Sequence, residues 1–123
     1  MKIAVTAKGK TLDDTVDPRF GRAPCFLIVD TETMDFTVVE NPNVAAGGGA
    51  GIQSAQLMAE HGVKTVLTGN CGPNAYRTLN AAGIDVIVGV NGVIRNAVAQ
   101  FKAGALKSID GPNVQSHHGM ESN

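Results

Sequence analysis

The sequence predicts an α/β domain built on a five-stranded mixed sheet with helices on both faces. Three observations lead there. Short β-branched runs open the chain, helical and strand-like patterns alternate from Gly47 onward, and Gly or Pro stands at nearly every change of pattern.

Residues 2–6, 25–30 and 36–40 read as strands, rich in β-branched and aromatic side chains and bounded by Gly, Pro, Asn and Asp. The link Thr31-Glu32-Thr33-Met34-Asp35 is short enough for a hairpin, so the three strands form an antiparallel meander. Residues 51–61 place Ile52, Ala55, Met58 and Ala59 on one helical face, with Gly62 as C-cap. Residues 64–68 form a strand, and Pro73 opens a helix over 73–82, where its missing N–H costs nothing. Ala75, Tyr76, Leu79 and Ala82 align along that helix, Gly83 ends it, and residues 84–88 are the last strand. Val93, Ile94, Ala97, Val98 and Phe101 mark a final helix capped by Gly104.

The runs at 64–68 and 84–88 are dense in apolar residues, as parallel strands buried on both faces are. A helical link of about a dozen residues joins them, which fits a right-handed crossover. The order β-β-β-α-β-α-β-α is the topology of the ribonuclease H-like architecture. One such domain is expected over residues 1–107. Residues 108–123, with Gly111-Pro112-Asn113 and a polar ending, are expected to form a flexible polar tail.

Composition narrows the function. A chain of 123 residues and 12.7 kDa corresponds to one domain with a real core. Ten basic and eleven acidic residues give a net charge of −1, which excludes the basic footprint of a nucleic-acid binder. No apolar run approaches the ~18 residues of a membrane span. The N-terminus is read as entering a strand directly, with no leader peptide. Two cysteines, Cys25 and Cys71, make no disulfide framework, so a reducing, cytoplasmic compartment is expected. Fifteen glycines are the unusual entry in the composition.

Ligands of such sheets sit beyond the carboxyl ends of the parallel strands. Three glycine-rich loops, 41–51, 69–72 and 89–92, are expected to converge there. Gly47, Gly48 and Gly49 can expose backbone N–H groups to an anion, or can simply make a flexible loop before a helix. No Gly-Lys-Ser/Thr follows them, and the Gly-x-Gly-x-x-Gly spacing is absent. Cys71 precedes the Pro73 helix, where the helix dipole favours a thiolate able to bind metal; a small buried residue is the equal alternative. Cys25 opens an apolar strand and reads as a core thiol. His61 reads as a solvated helix-end residue, whereas His117 and His118 are a candidate metal-binding pair or plain tail surface.

Catalytic constellations are poor. The opening strand carries no carboxylate, no Gly-x-Ser-x-Gly elbow occurs, and Asp13, Asp14 and Asp17 read as turn residues. The chain is therefore read as a binding protein, not an enzyme. The stiff segment Asp17-Pro18-Arg19-Phe20-Gly21-Arg22-Ala23-Pro24 leads into a strand; Arg22 can clamp an anion in bidentate fashion, and Phe20 can plug the sheet edge.

Arg19-Phe20-Gly21-Arg22-Ala23-Pro24 resembles the Phe-Gly-Arg-Ala motif of the dinitrogenase iron–molybdenum cofactor biosynthesis family. Asn41-Pro42, Gly69-Asn70-Cys71-Gly72-Pro73-Asn74-Ala75 and Leu79-Asn80-Ala81-Ala82-Gly83-Ile84 extend the similarity to about residue 107. The resemblance implies a ribonuclease H-like fold and a small carrier or chaperone for iron–sulfur or iron–molybdenum clusters, transiently bound. Its partner would be a cofactor-assembly or recipient metalloprotein, with no nucleic acid and no membrane, and the chain itself a monomer. The anionic cluster would lie against Phe20, Arg22, Gly47, Gly48, Gly49, Gly69, Asn70, Cys71 and Gly72, with Cys71, His117 or His118 as metal ligands. A metal-free interaction or regulatory module of the same fold is the alternative. A small-anion enzyme using the 47–51 loop is weaker, because no catalytic base accompanies it.

Overall fold

The computed structural model describes residues 1–42 and 49–111. Strand β1 (Lys2–Ala7) is central in the sheet and buried from Ile3 to Ala7, its side chains divided between the cores on the two faces. It pairs antiparallel with β2 (Cys25–Asp30) and parallel with β4 (Thr65–Leu67). The hairpin from β2 to β3 (Phe36–Glu40) forms as expected, and β5 (Asp85–Ile87) adds in parallel to β4. The five-stranded mixed sheet therefore has the order β3-β2-β1-β4-β5. β4 and β5 are shorter than the apolar runs that announce them. Flanking bonds, Lys64 N–H to Lys2 O at 2.9 Å and Thr68 N–H to Ile87 O at 3.0 Å, continue the ladder on either side.

Helices α1 (Ala50–Glu60) and α2 (Pro73–Ala81) cover one face, and α3 (Ile94–Lys102) covers the other. The pleat divides β1 between two cores. Ile3, Val5 and Ala7 pack with Leu27, Leu67, Ile94 and Val98, while Ala4 faces Phe26, Met58, Cys71 and Leu79. Burying the side chains of these two cores is the main stabilising contribution, at about 25 cal/mol per Å² removed from water. Gly62, Gly83 and Gly104 follow the three helices with φ of +71°, +75° and +76°, the left-handed turn that ends a helix.

Some expected core positions are corrected. Ala59 and Ala82 are exposed, and Ser54 is buried in α1 instead. Close approach of α1 to α2 turns the buried stripe toward Ala50, Ser54, Ala55 and Met58. The segment read as the start of a polar tail also touches the sheet: Ile109 N–H donates to Val86 O at 2.8 Å, and its side chain packs on the α1–α2 core.

Candidate functional site

Beyond the carboxyl end of β4 lies a cavity of about 390 Å³, bounded by three segments: Phe20–Arg22, Gly49–Gly51 and the stretch from Asn70 to Ala75. Glycine makes their approach possible. A Cβ on Gly21 would sit 3.0 Å from Gly51 Cα, one on Gly51 3.0 Å from Ala75 Cβ, and one on Gly69 2.6 Å from Pro18 Cα. Phe20 is 2% exposed and forms the apolar floor, its ring tilted against Phe26 at 5.7 Å.

The starts of α1 and α2 both line this cavity. Neither has a side-chain cap or an acidic residue in its first turn among the described residues. Their first N–H groups and the positive ends of both helix dipoles therefore favour an anion. Arg22, exposed on the cavity wall, adds a cation. Arg19 pairs with Asp17: its guanidinium lies 3.3 Å from the buried carboxylate, which raises the arginine pKa further.

The wall loop is held firmly. The Thr6 hydroxyl donates to Asp17 O at 2.7 Å, and Asp17 Oδ1 accepts from Arg19 N–H at 2.9 Å. Asn70 Nδ2 donates to Pro18 O at 3.2 Å, while Asn70 O accepts from Phe20 N–H at 3.3 Å. From the other side the Asn41 carboxamide donates to Gly21 O and Ala23 O, at 3.1 and 2.9 Å.

The family model for the dinitrogenase iron-molybdenum cofactor matches residues 1–104. The chain belongs to that family. The apo form of the orange protein from Desulfovibrio gigas is 45% identical and superposes with a TM-score of 0.89 over 92% of this chain and 96% of its own. A candidate NifB protein of Thermotoga, from the DUF35 family, is 36% identical, with a TM-score of 0.76 over 87% and 91% of the two chains. An uncharacterised protein of Methanocaldococcus jannaschii is 32% identical over 113 residues, covering 89% of this chain and 92% of its own.

Of the residues expected to meet the cluster, the cavity gathers Phe20, Arg22, Gly49, Asn70 and Gly72. Gly47, Gly48, His117 and His118 lie outside the described residues. Gly69 is not on the wall; it serves the close approach to Pro18. The loop at 89–92 does not reach the cavity either. It leads to α3 on the opposite face, where Gly92 O accepts from Val16 N–H at 2.9 Å.

At Cys71 the structure favours the buried alternative over the exposed thiolate. Its side chain is 1% exposed within the α1–α2 core, and burial pushes the thiol up to about 11, the reverse of the expected dipole effect. Cys25 is the core thiol expected, with Sγ donating to Gly9 O at 3.3 Å and burial raising its pKa. His61 is exposed at the end of α1, as expected, beside a smaller cavity of about 240 Å³ at the opposite end of the sheet. Among the described residues, no group of three or more His, Cys, Asp or Glu could hold a metal ion, and no helix is long and apolar enough to cross a membrane.

Proposed function

We propose that this protein is a small cytoplasmic carrier that holds an anionic iron–sulfur or iron–molybdenum cluster transiently in the α1–α2 cavity. It then yields that cargo to a cofactor-assembly or recipient metalloprotein. The observation that carries this reading is the meeting of two uncapped, acid-free helix N-termini with Arg22 over one cavity. The close approach of Gly21 to Gly51, and of Gly51 to Ala75, leaves little room for a larger side chain and brings the cavity walls together. Membership of the family supports the cargo class, and the similar orange protein was solved in an apo form, in keeping with a group that it binds.

The ribonuclease H-like architecture and a monomeric state belong to the same reading; the sheet order β3-β2-β1-β4-β5 with β2 antiparallel supports the former. Binding rests on N–H groups and charge, with the Cys71 thiol held in the core. A cargo held without a thiolate from this chain can leave without a metal–sulfur bond to the protein being broken. That suits transfer better than storage.

Anaerobic reconstitution with iron and sulfide, or incubation with preformed iron–molybdenum cofactor, tests the proposal by visible absorption and metal content. Uptake is expected in the unaltered protein and in Cys71→Ala, and weaker uptake in Arg22→Ala, which keeps both helix N-termini. If neither cargo binds at micromolar protein, the carrier reading falls. The metal-free interaction module then takes its place, a reading favoured by the burial of both thiols.

A further inference from the structure

We propose that Asn41 is a positioning residue for the cavity: its carboxamide fixes the backbone on either side of Arg22 and so sets the affinity of the site for anions. The inference rests on the reading of the cavity as an anion site.

The side chain of Asn41 comes from just beyond β3. It is 5% exposed, and its Nδ2 group donates to Gly21 O at 3.1 Å and Ala23 O at 2.9 Å. Two carbonyl oxygens facing one carboxamide can be satisfied only by its NH₂ end, which fixes the orientation of the group. Asn41 N–H donates in turn to Pro24 O at 3.0 Å. Three carbonyls within four consecutive residues, Gly21, Ala23 and Pro24, are therefore held by one residue.

Between the first two sits Arg22. An arginine places its guanidinium at the end of a long side chain, so a small rotation of its backbone displaces the charged group by ångströms. Misplacement of about 1 Å can cost a catalytic site as much as 10²-fold in rate, and a charge that must meet an anion depends on geometry in the same sense. Bracing the backbone removes that freedom before the ligand arrives, and the ordering cost falls on folding instead of binding. Asn70 anchors the same loop at Pro18 and Phe20, so the wall is pinned at both ends. Asn70 itself lines the cavity; Asn41 is not among the lining residues. The proposed effect of Asn41 on binding acts through the loop it holds.

Asn41→Asp tests this. It keeps the shape, removes the donors and sets a carboxylate against two carbonyl oxygens. Molybdate is the probe, titrated while backbone amide shifts of the cavity residues are followed. Affinity is expected to fall about ten-fold in Asn41→Asp, with faster amide exchange in the loop from Gly21 to Ala23. In an Arg22→Ala background the same substitution should change affinity little, because the group it positions is gone. A merely structural residue would lower affinity by the same factor in both backgrounds, and that outcome overturns the proposal. So does unaltered affinity with unaltered exchange in Asn41→Asp. If that variant does not fold, Asn41→Ala, which removes the donors without burying a charge, is measured by the same criteria. If the unaltered protein ignores molybdate, the reading of the cavity as an anion site falls, and so does the affinity role. The bracing of the loop is then judged by exchange alone.

Discussion

At Cys71 two opposing effects act on one thiol, and their magnitudes decide its chemistry. A helix N-terminus stabilises a nearby anion by about 0.3–1 kcal/mol at the surface. Withdrawal from water penalises the thiolate by more, and the outcome is a pKa near 11, against an ordinary 9.0. The folded state therefore retains the proton longer than the unfolded chain. Stabilisation from this group is complete below about pH 9 and is lost as pH rises toward about 11. Urea midpoints measured across that window should fall for the unaltered protein, by an amount of order 1–2 kcal/mol. The fall should be shallower for Cys71→Ala, with Cys25 accounting for part of what is left. Alkylation should follow the same logic: Cys71 resists iodoacetamide at neutral pH until the protein is unfolded, and rapid labelling of the native protein would contradict its burial. The position of Cys71 before a helix is legible in the sequence. Its depth is not, because the residues that cover it, such as Phe26, Met58 and Leu79, come from three separate elements.

Among the elements, the loops around the cavity depend on glycine for two different reasons. Gly72 stands at the N-cap of α2 with open space where a Cβ would go. Gly69, three residues earlier, lies against Pro18, with a Cβ only 2.6 Å from Pro18 Cα and 2.9 Å from its carbonyl oxygen. Backbone cannot yield as the tip of a side chain can. Gly69→Ala should therefore destabilise the protein by about 2–3 kcal/mol, and Gly72→Ala by under about 1 kcal/mol. Equilibrium denaturation in urea distinguishes them, and equal effects would refute the close approach. Pro73 at the first helical position and the glycines ending the helices are visible in a linear reading because their causes are local. The tight contact of Gly69 with Pro18 is invisible there, since its partner lies far away in the chain.

For the molecule as a whole, the sheet separates two cores and leaves its outer strands unequal. β3 is flanked by β2 on one side; beside β5, the chain beyond α3 returns and bonds through Ile109 to Val86. Ending the chain at residue 107 removes that hydrogen bond and the partial burial of Ile109. Relative to a chain ending at residue 111, we expect a loss of about 1–2 kcal/mol in denaturant unfolding, with the fold retained. Identical stabilities would mean that the contact contributes nothing.

By itself the sequence determined the order of elements, the pairing of the β2–β3 hairpin, the helix starts and stops, and the family. All of these follow from period, punctuation and motif over short stretches of chain. Only the tertiary structure decided which glycine-rich loops meet, that the loop at 89–92 turns to the far face, that Cys71 is sealed in the core, and that Asn41 holds the segment bearing Arg22. The physical reason is the same in each case. Burial and hydrogen-bond partnership depend on residues remote in sequence, and they are fixed only when the sheet brings its strand ends together.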